Sequence, residues 1–251
     1  ELGLDVDLED VDFVNELVEY YNSLSEKELE DLREDLEKKL SKFETELQRE
    51  NDKTSIYRFA LDAGEISKEA EGVVRGSLLN QFSLSEKDDN LRVVTTTSVW
   101  VRDLGREQEN NVYVLDSDLG VIGSLEGLAE DERVYSARFE GEKLYLVTFR
   151  EVDPFFVIDL SDESNPEVLG FLKIPGYSSY MHKVSENLIL GIGKETKESE
   201  WGGVIDDGLK ISLFDVSDEE NPIELDKFVA SGRWSTTEVL NDHKAFLFVE
   251  D

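Results

Sequence analysis

The chain carries the stretch Phe155-Phe-Val-Ile-Asp-Leu-Ser-Asp-Glu-Ser-Asn-Pro166 and repeats it as Leu209-Lys-Ile-Ser-Leu-Phe-Asp-Val-Ser-Asp-Glu-Glu-Asn-Pro222. The two copies place Asp159 and Asp215 56 positions apart. Each Asn-Pro is followed by a run that alternates apolar and polar residues. A unit of a few strands that recurs every ~40–60 residues is typical of propellers and solenoids.

The alternating pattern extends outward over residues 54–251, where helix signals disappear and turn-forming pairs such as Pro175-Gly176 separate short runs. The pattern predicts sixteen strands, at residues 56–61, 66–72, 78–84, 91–98, 112–116, 121–125, 134–139, 144–150, 155–160, 168–174, 179–184, 188–193, 209–216, 223–229, 235–240 and 245–249. Many short strands with no helices between them predict an antiparallel all-β domain.

Grouping the strands so that each Asp-ended strand is the third of its blade gives three four-stranded blades, at about 78–125, 134–174 and 179–229. One strand pair, 56–72, precedes them and another, 235–249, follows, which makes about four blades' worth of strands. The two pairs either complete each other as a fourth blade or belong to separate blades of a longer propeller. The longer propeller is favoured, because four-bladed closure is the rare case among propellers of 4–8 blades.

Residues 1–53 differ in kind, because their apolar residues recur every three or four positions and predict a helical hairpin. Ser25 and Glu28 form a capping box at the start of the second helix. One face of that helix carries an apolar stripe of Leu29, Leu32, Leu36, Leu40, Phe43 and Leu47. Two interpretations stay open: a coiled coil that binds a partner or a second copy, and a helical insertion folded back on the blades, which is favoured.

The chain has 59 acidic and 26 basic residues and a formal net charge of −33. This charge excludes nucleic acid as a partner and disfavours an anionic membrane surface. The acidity fits either a solvated surface suited to high salt or a set of calcium sites. Because residues 1–53 carry 19 acids and the remainder 40, the charge is dispersed, which favours the high-salt interpretation.

The chain has no cysteine, which excludes disulfides, zinc–thiolate sites and thiol nucleophiles. It shows no signal peptide and no apolar run long enough to span a membrane, so we expect no membrane insertion by this stretch. Both ends are expected to continue into a longer protein.

Two long loops, 99–111 and 194–208, are predicted to project at the rim of the blades, where binding residues usually lie. Trp100 and Trp201 fall in these loops, and Arg102 and Trp234 complete the set of rim candidates. The commoner explanation of such a tryptophan is a ring that lies flat over the rim as a lid.

Asp159, Asp162, Asp215 and Asp218 are candidate Ca²⁺ ligands, since Ca²⁺ prefers carboxylate oxygens. Their repetition favours another role, in which each carboxylate accepts hydrogen bonds from turn amides. No cofactor is predicted beyond this possible Ca²⁺.

The polar residues expected on the first strands of blades are candidates for a ligand pocket at the mouth of the central channel: Asn80, Gln81, Arg138, Tyr180, His182, Thr237 and Glu238. Arg138 is expected to pair with a carboxylate or to accept an anionic ligand. The two histidines, His182 and His243, are assigned to different blades and to structural hydrogen bonds. No His-Glu-x-x-His or Gly-x-Ser-x-Gly motif is present, so no catalytic residue is assigned.

Several blocks of sequence resemble the archaeal and bacterial secreted proteins with a C-terminal β-propeller distantly related to WD40 repeats. The blocks are Gly76-Ser-Leu-Leu-Asn-Gln-Phe-Ser-Leu84, Leu91-Arg-Val-Val-Thr-Thr96, Tyr135-Ser-Ala-Arg-Phe139, Val147-Thr-Phe149 with Asp153-Pro154, Lys173-Ile-Pro-Gly176 and Asp242-His-Lys-Ala-Phe246. The resemblance spans roughly 54–251 and implies an exported, often cell-surface parent protein. One departure is Lys183, which stands after His182 where the family usually has proline.

The leading functional hypothesis is a non-catalytic extracellular or cell-surface scaffold that binds protein or glycan through rim loops. The alternative is a propeller enzyme of hydrolase or lyase type that uses channel residues, with or without Ca²⁺. A convergent acid–base pair at the channel mouth would distinguish the two hypotheses.

Overall fold

The computed structural model describes residues 11–101, 105–150 and 153–249. Over these ranges the chain forms two α-helices followed by fourteen strands. The chain divides into two compact units, Glu1–Leu47 and Gln48–Asp251. The second helix crosses this boundary, so its last turn belongs to the strand-bearing unit.

The helices are α1 (Val11–Ser23) and α2 (Glu26–Asn51). The Ser25 backbone N–H donates to Glu28 Oε2 at 2.8 Å, and the Glu28 backbone N–H donates to Ser25 Oγ at 3.4 Å. These reciprocal bonds satisfy amides that have no partner inside the helix. The predicted capping box is therefore confirmed.

The strands are β1 (Lys53–Asp62), β2 (Glu65–Arg75), β3 (Leu84–Lys87), β4 (Asn90–Val101), β5 (Gly105–Leu115), β6 (Val121–Leu128), β7 (Arg133–Glu140), β8 (Lys143–Phe149), β9 (Asp153–Asp159), β10 (Glu167–Ile174), β11 (Tyr177–Ser185), β12 (Leu188–Glu198), β13 (Val204–Asp215) and β14 (Ile223–Ser231). They form three four-stranded sheets and one two-stranded sheet, and neighbours in sequence pair antiparallel.

The three four-stranded sheets are the predicted blades: β3–β6 is blade 1, β7–β10 is blade 2 and β11–β14 is blade 3. Asp159 ends β9 and Asp215 ends β13, so the Asp-ended strand is the third of four, as predicted. The predicted pair 56–72 is the separate hairpin β1–β2.

Three predicted strands are wrong. Residues 78–84 are not a strand, because the Asn80 side chain accepts a hydrogen bond from the Phe82 N–H at 2.9 Å and caps the 3-10 helix Gln81–Ser83. The predicted strand pair 235–240 and 245–249 is replaced by the 3-10 helices Glu238–Leu240 and His243–Ala245. Asp242 caps the second of these through the Lys244 N–H at 3.0 Å, so the local turn chemistry replaces a strand.

The two predicted long loops are also wrong, because most of their residues continue the strands. β4 and β5 pair as far as Val101 opposite Gly105, and β12 and β13 pair as far as Glu198 opposite Val204. Residues 102–104 lie outside the described part of the chain. Each supposed loop is therefore a β-hairpin that extends beyond its blade.

The hydrophobic core lies between successive blades. Val112 of blade 1 belongs to the same buried cluster as Leu146 of blade 2. Phe155 of blade 2 stacks on Phe214 of blade 3 with ring centroids 4.6 Å apart. Val74 of β2 packs on the other face of blade 1. Each blade therefore packs against the blade that follows it in the sequence, as in a radial array of blades.

A close contact between backbones recurs at each joint between blades. A Cβ added to Gly123 on β6 would lie 2.1 Å from the Glu163 carbonyl oxygen, and one added to Gly170 on β10 would lie 2.3 Å from the Glu220 carbonyl oxygen. In both cases the fourth strand of one blade meets the last turn of the next blade. Only a residue without a side chain allows this approach.

Candidate functional site

The first strands of blades 2 and 3 lie side by side and place predicted channel residues together. Ser136 on β7 donates its hydroxyl to the Ser178 carbonyl oxygen on β11 at 2.7 Å. Arg138 continues along β7, and Tyr180 and His182 continue along β11. Successive residues of a strand point to opposite faces, so Tyr180 and His182 share one face of blade 3.

A cleft of about 370 Å³ opens beside this face, which we call the inner cleft. It is lined by Asn80, Gln81, Phe82, Ser179, Tyr180, Val239, Leu240, Asn241, Asp242, His243 and Lys244. Its volume falls at the small end of the range for ligand pockets, roughly 300–1,000 Å³. The walls combine amide, carboxylate, imidazole and ammonium groups with aromatic rings.

The two histidines belong to one group of rings around the inner cleft. Gln81 Nε2 lies 3.1 Å from His243 Nε2, and the Phe82 ring meets the His243 ring edge to face at 5.0 Å. The Phe246 ring lies 5.0 Å from the ring of His182 and 5.4 Å from that of Tyr180. Both histidines therefore have hydrogen-bond partners, as expected of structural side chains. The placement of His243 on a blade strand is wrong, because it lies in a 3-10 helix.

The Arg138 cation beside the cleft is paired with a carboxylate. Arg138 Nε donates to Glu140 Oε1 at 2.7 Å, which is the carboxylate partner expected for this cation. Partial burial and the Arg138 charge lower the pKa of His182, against the opposing effect of Glu140. Burial raises the pKa of Tyr180, against the opposing effect of Arg138. At neutral pH both rings are therefore uncharged hydrogen-bonding groups.

Only some of the predicted channel residues line the inner cleft. Asn80, Gln81 and Tyr180 line the inner cleft, although Asn80 and Gln81 lie in a 3-10 turn rather than on a first strand. Arg138 and His182 lie next to Tyr180. Thr237 and Glu238 start the 3-10 helix whose later residues line the cleft, so their placement on a first strand is wrong.

Sequence reasoning missed Phe82, His243 and Phe246, which come from segments more than 160 positions apart in the chain. Phe82 and Phe246 stand inside the first and the last of the blocks that carry the family resemblance, so these blocks were the available signal.

The rim candidates lie at the opposite end of the strands from the Asp-ended turns. Second and fourth strands of antiparallel blades end at the same side. The blades share this orientation, because the Val134 N–H on β7 of blade 2 donates to Thr96 Oγ1 on β4 of blade 1 at 3.1 Å, and the Gly176 N–H after blade 2 donates to Thr196 Oγ1 on β12 of blade 3 at 2.8 Å. We call this side, with the tips of β4–β5, β8–β9 and β12–β13, the hairpin face.

All three tryptophans of the chain map to the hairpin face. Trp100 is the last residue but one of β4, Trp201 lies in the turn between β12 and β13, and Trp234 follows β14. Their exposed fractions are 63%, 95% and 87%. The Arg233 guanidinium lies 5.6 Å from the Trp234 ring centroid. Arg102 lies outside the described residues. The interpretation of a loop tryptophan as a lid lying flat over the rim is wrong for Trp201, whose ring is almost fully exposed.

Two shallow clefts accompany the tryptophans. One of about 270 Å³ is lined by Arg49, Thr97, Val99, Glu107, Gln108, Glu109, Glu130 and Asp131. The other, of about 360 Å³, is lined by Pro175, Thr196, Lys197, Glu198, Ser199, Gly202, Gly203 and Val204. The hairpin face therefore offers apolar rings beside charged depressions.

The Asp-ended turns use their carboxylates internally. Asp159 accepts the Ser161 hydroxyl at 2.7 Å and Lys143 Nζ at 3.0 Å. Partial burial acts to raise the pKa of Asp159, but these partners outweigh it and lower the pKa.

The other three carboxylates accept turn amides, as the turn interpretation predicts: Asp162 from Ser164 at 3.0 Å, Asp215 from Ser217 at 2.8 Å and Asp218 from Glu220 at 3.2 Å.

Metal-binding clusters and membrane-spanning helices are both missing from the described part of the chain. No group of three or more His, Asp or Glu side chains in the described ranges is arranged to hold a metal ion. No described helix is both long and apolar enough to cross a bilayer. Binding of Ca²⁺ by the Asp-ended turns stays the less favoured of the two interpretations.

Comparison with known proteins agrees with the architecture. A family model described as the Beta propeller domain matches residues 17–251, so the match includes most of the helical segment that sequence patterns separate from the blades.

An uncharacterised protein of Methanocaldococcus jannaschii is 42% identical over 242 residues, which is 96% of this chain and 36% of that protein. An uncharacterised protein of Archaeoglobus fulgidus is 45% identical over 201 residues, 79% of this chain and 28% of that protein. The chain thus spans about a third of the length of these relatives. With a family match over nearly its whole length, the chain belongs to the β-propeller domain family.

Proposed function

We propose that this chain is a non-catalytic binding scaffold that engages a protein partner through the hairpin face. The observation that carries the proposal is that all three tryptophans lie on the same side of the blades, exposed by 63%, 95% and 87%. Tryptophan and arginine are the residues most enriched in binding hot spots. Exposed tryptophans on a rigid scaffold are typical of a docking surface.

The spread of the tryptophans supports a macromolecular partner. Trp100 lies on blade 1, whereas Trp201 and Trp234 lie on or after blade 3, so a single small ligand does not bridge them. The cleft beside Trp100 carries four carboxylates against one guanidinium. A partner that presents basic side chains next to apolar ones complements this arrangement.

Binding to a display library of random peptides tests the proposal. Peptides enriched on the wild-type chain are expected to contain Lys or Arg with aromatic residues, and to lose binding when all three tryptophans become alanine. Phe171→Ala is the matched control, because Phe171 is an aromatic residue on β10 that is 54% exposed away from the hairpin tips. Peptide binding that survives the triple substitution would refute the proposal. Binding to a glycan array in place of peptides would assign the face to glycans.

The inner cleft supports a second candidate function, the binding of a small neutral polar ligand of the saccharide class. Its amides (Asn80, Gln81, Asn241), its aromatic rings and the neutral Tyr180 match hydroxyl groups and sugar faces. The enzyme alternative has less support, because Arg138 is committed to Glu140 and Glu238 lies outside the cleft lining. Saturation-transfer NMR with mono- and disaccharides tests this candidate, with Gln81→Ala expected to abolish the signal.

The proposed location outside the cell rests on the family resemblance. Accessibility of the native protein to an impermeant lysine label on intact cells tests it, and labelling only after lysis would refute it.

A further inference from the structure

Helix α2 carries an apolar seam that is open to solvent. The seam is the stripe Leu29, Leu32, Leu36, Leu40, Phe43 and Leu47. Leu29 and Leu32 are half-buried. The exposed fractions of Leu36, Leu40, Phe43 and Leu47 are 56%, 49%, 60% and 46%. A helix of 26 residues is about 39 Å long, and an apolar stripe of this length is typical of helices that pair.

The seam is close to symmetric about its centre at Lys38. Leu29 and Leu47 lie nine positions on each side of Lys38, and Leu36 and Leu40 lie two positions on each side. A second α2 running in the opposite direction therefore meets the seam along its whole length, with Leu36 of one copy beside Leu40 of the other.

The charges along α2 select the antiparallel direction. Residues 26–37 contain seven acidic and two basic side chains, whereas residues 38–49 contain two acidic and four basic ones. Antiparallel pairing places each acidic half against the basic half of the other copy. Parallel pairing would place the two acidic halves together, which is unfavourable.

We propose that a second copy of this chain pairs with α2 as an antiparallel two-helix coiled coil centred near Lys38. In this register Arg33 lies about 1.5 Å along the axis from Glu44 of the second copy, and Asp35 lies about 3 Å from Lys39 of the second copy. Asp35 and Lys39 already form a pair of 2.8 Å within one helix, so in the dimer they join a four-charge network. The net charge of −33 per chain opposes association, and salt screens that repulsion.

Light scattering coupled to size-exclusion chromatography in 0.5 M KCl tests the pairing. The wild-type chain is expected at twice the 28.6 kDa of one chain, and Leu40→Glu at the monomer mass. Lys38→Ala, on the side of the helix opposite the seam, is the matched control and stays dimeric. Each variant must keep the wild-type far-ultraviolet spectrum. A wild-type chain that stays monomeric at high protein concentration would overturn the proposal.

A charge swap tests the register. Arg33→Glu and Glu44→Arg each create two like-charge contacts per dimer and are expected to weaken dimerisation about tenfold. The double variant restores opposite charges and is expected to return to wild-type affinity. Failure of this rescue would exclude the register.

Disulfide trapping tests whether the two helices run antiparallel. Because the chain has no cysteine, any disulfide must form between introduced cysteines. In the antiparallel dimer Lys39→Cys lies about 3 Å along the axis from its own copy, whereas Leu47→Cys lies about 27 Å from its copy. A disulfide needs Cα atoms within about 7 Å. Covalent dimers are expected for Lys39→Cys alone, and efficient trapping through Leu47→Cys would show parallel pairing and overturn the proposal.

Discussion

The joint between blades can be broken by adding one methyl group. Gly170→Ala would place a Cβ 2.3 Å from the Glu220 carbonyl oxygen and 2.6 Å from that of Glu219. An ordinary contact is more than 3.4 Å, so the last turn of blade 3 has to move by about 1 Å, and a backbone carbonyl cannot rotate out of the way. The backbone of Gly170 itself is acceptable for alanine, because its φ lies outside the left-handed region.

The expected cost combines two opposing effects. Overpacking costs about 1–3 kcal/mol, and alanine returns ~0.4–1 kcal/mol by restricting the unfolded chain. The difference is roughly 0–2.6 kcal/mol. Because the added Cβ meets a backbone carbonyl rather than a flexible side chain, we expect a net loss of about 1–2 kcal/mol, which lowers the Tm by roughly 2–8 °C for a chain of this size.

The repeat supplies a matched control for this substitution. Asp226 lies 56 positions after Gly170, and its partner Leu213 lies 56 positions after Val157, the partner of Gly170. Asp226 is exposed, so it makes no such joint. Asp226→Ala is therefore expected to leave the Tm within about 1 °C of wild type. The assay is thermal unfolding followed by circular dichroism, with urea unfolding as a check. A Gly170→Ala chain as stable as wild type, or equal losses at both positions, would show that the joint does not limit blade packing.

Three further predictions concern charged groups. The Lys210 side chain is 3% exposed, and its Nζ lies 3.0 Å from Glu224 Oε1. Lys210→Ala leaves this carboxylate without its cation and is expected to lower the free energy of unfolding, measured in urea, by about 3–5 kcal/mol. A loss below about 1 kcal/mol would contradict this. Burial raises the pKa of Glu132 against the hydrogen bond from Thr148 and nearby cations, so its ionisation opposes folding above the usual carboxyl range. Glu132→Gln should raise the Tm at pH 7, with a gain that fades as the pH falls below that range; a gain independent of pH would point to another cause. Molar KCl should raise the Tm by screening the net charge of −33, whereas millimolar CaCl₂ should act no more than KCl of equal ionic strength; an extra stabilisation that a chelator reverses would establish calcium sites.

The blades were predictable because the repeated Asp-containing stretch marks both a local turn and the position of a strand within its blade. Asp159 and Asp215 end third strands, and their carboxylates accept turn amides. The same residues therefore mark the strand end and the turn after it. Repetition at a fixed interval made the grouping into blades visible without any knowledge of contacts.

The extended hairpins were not predictable from periodicity. Residues 106–111 read Arg-Glu-Gln-Glu-Asn-Asn and have no apolar side chain to alternate with a polar one. Their strand is held by the backbone ladder to β4, as far as Arg106 opposite Trp100. Asn110 and Asn111 are buried, but as polar side chains held by hydrogen bonds, such as the one from Asn111 Nδ2 to Thr97 Oγ1 at 2.8 Å. Backbone pairing and buried polar side chains leave no alternation of apolar and polar residues in the sequence.

The inner cleft was half predictable for a different reason. Tyr180 and His182 share a face of β11 by strand alternation, which sequence shows directly. Their contact with Phe246 depends on how the chain folds back after blade 3, since Phe246 lies in no strand. A contact that depends on where the chain folds back leaves no signal in the local sequence. The turn residues Asn241 and Asp242 are compatible with a β-hairpin as well as with a capped 3-10 helix.

Residues that repeat and residues that break the repeat have different roles in this fold. The Asp-ended turns and the joint glycines recur from blade to blade, because blades 1 and 2 need the same attachment to the next one. The extension of the hairpin between the second and third strands does not recur. In blade 2, β8 ends at Phe149 and β9 begins at Asp153, whereas the hairpins of blades 1 and 3 extend beyond their blades.

Trp100 and Trp201 lie on the two extended hairpins, where the repeat is broken. Asp226 is a second departure, because it replaces the joint glycine at the outer strand of blade 3. Any blade packed on β14 therefore needs a different contact from the backbone approach that joins blades 2 and 3. The positions to mutate for function are those where the repeat fails, and the positions to leave intact are those where it holds.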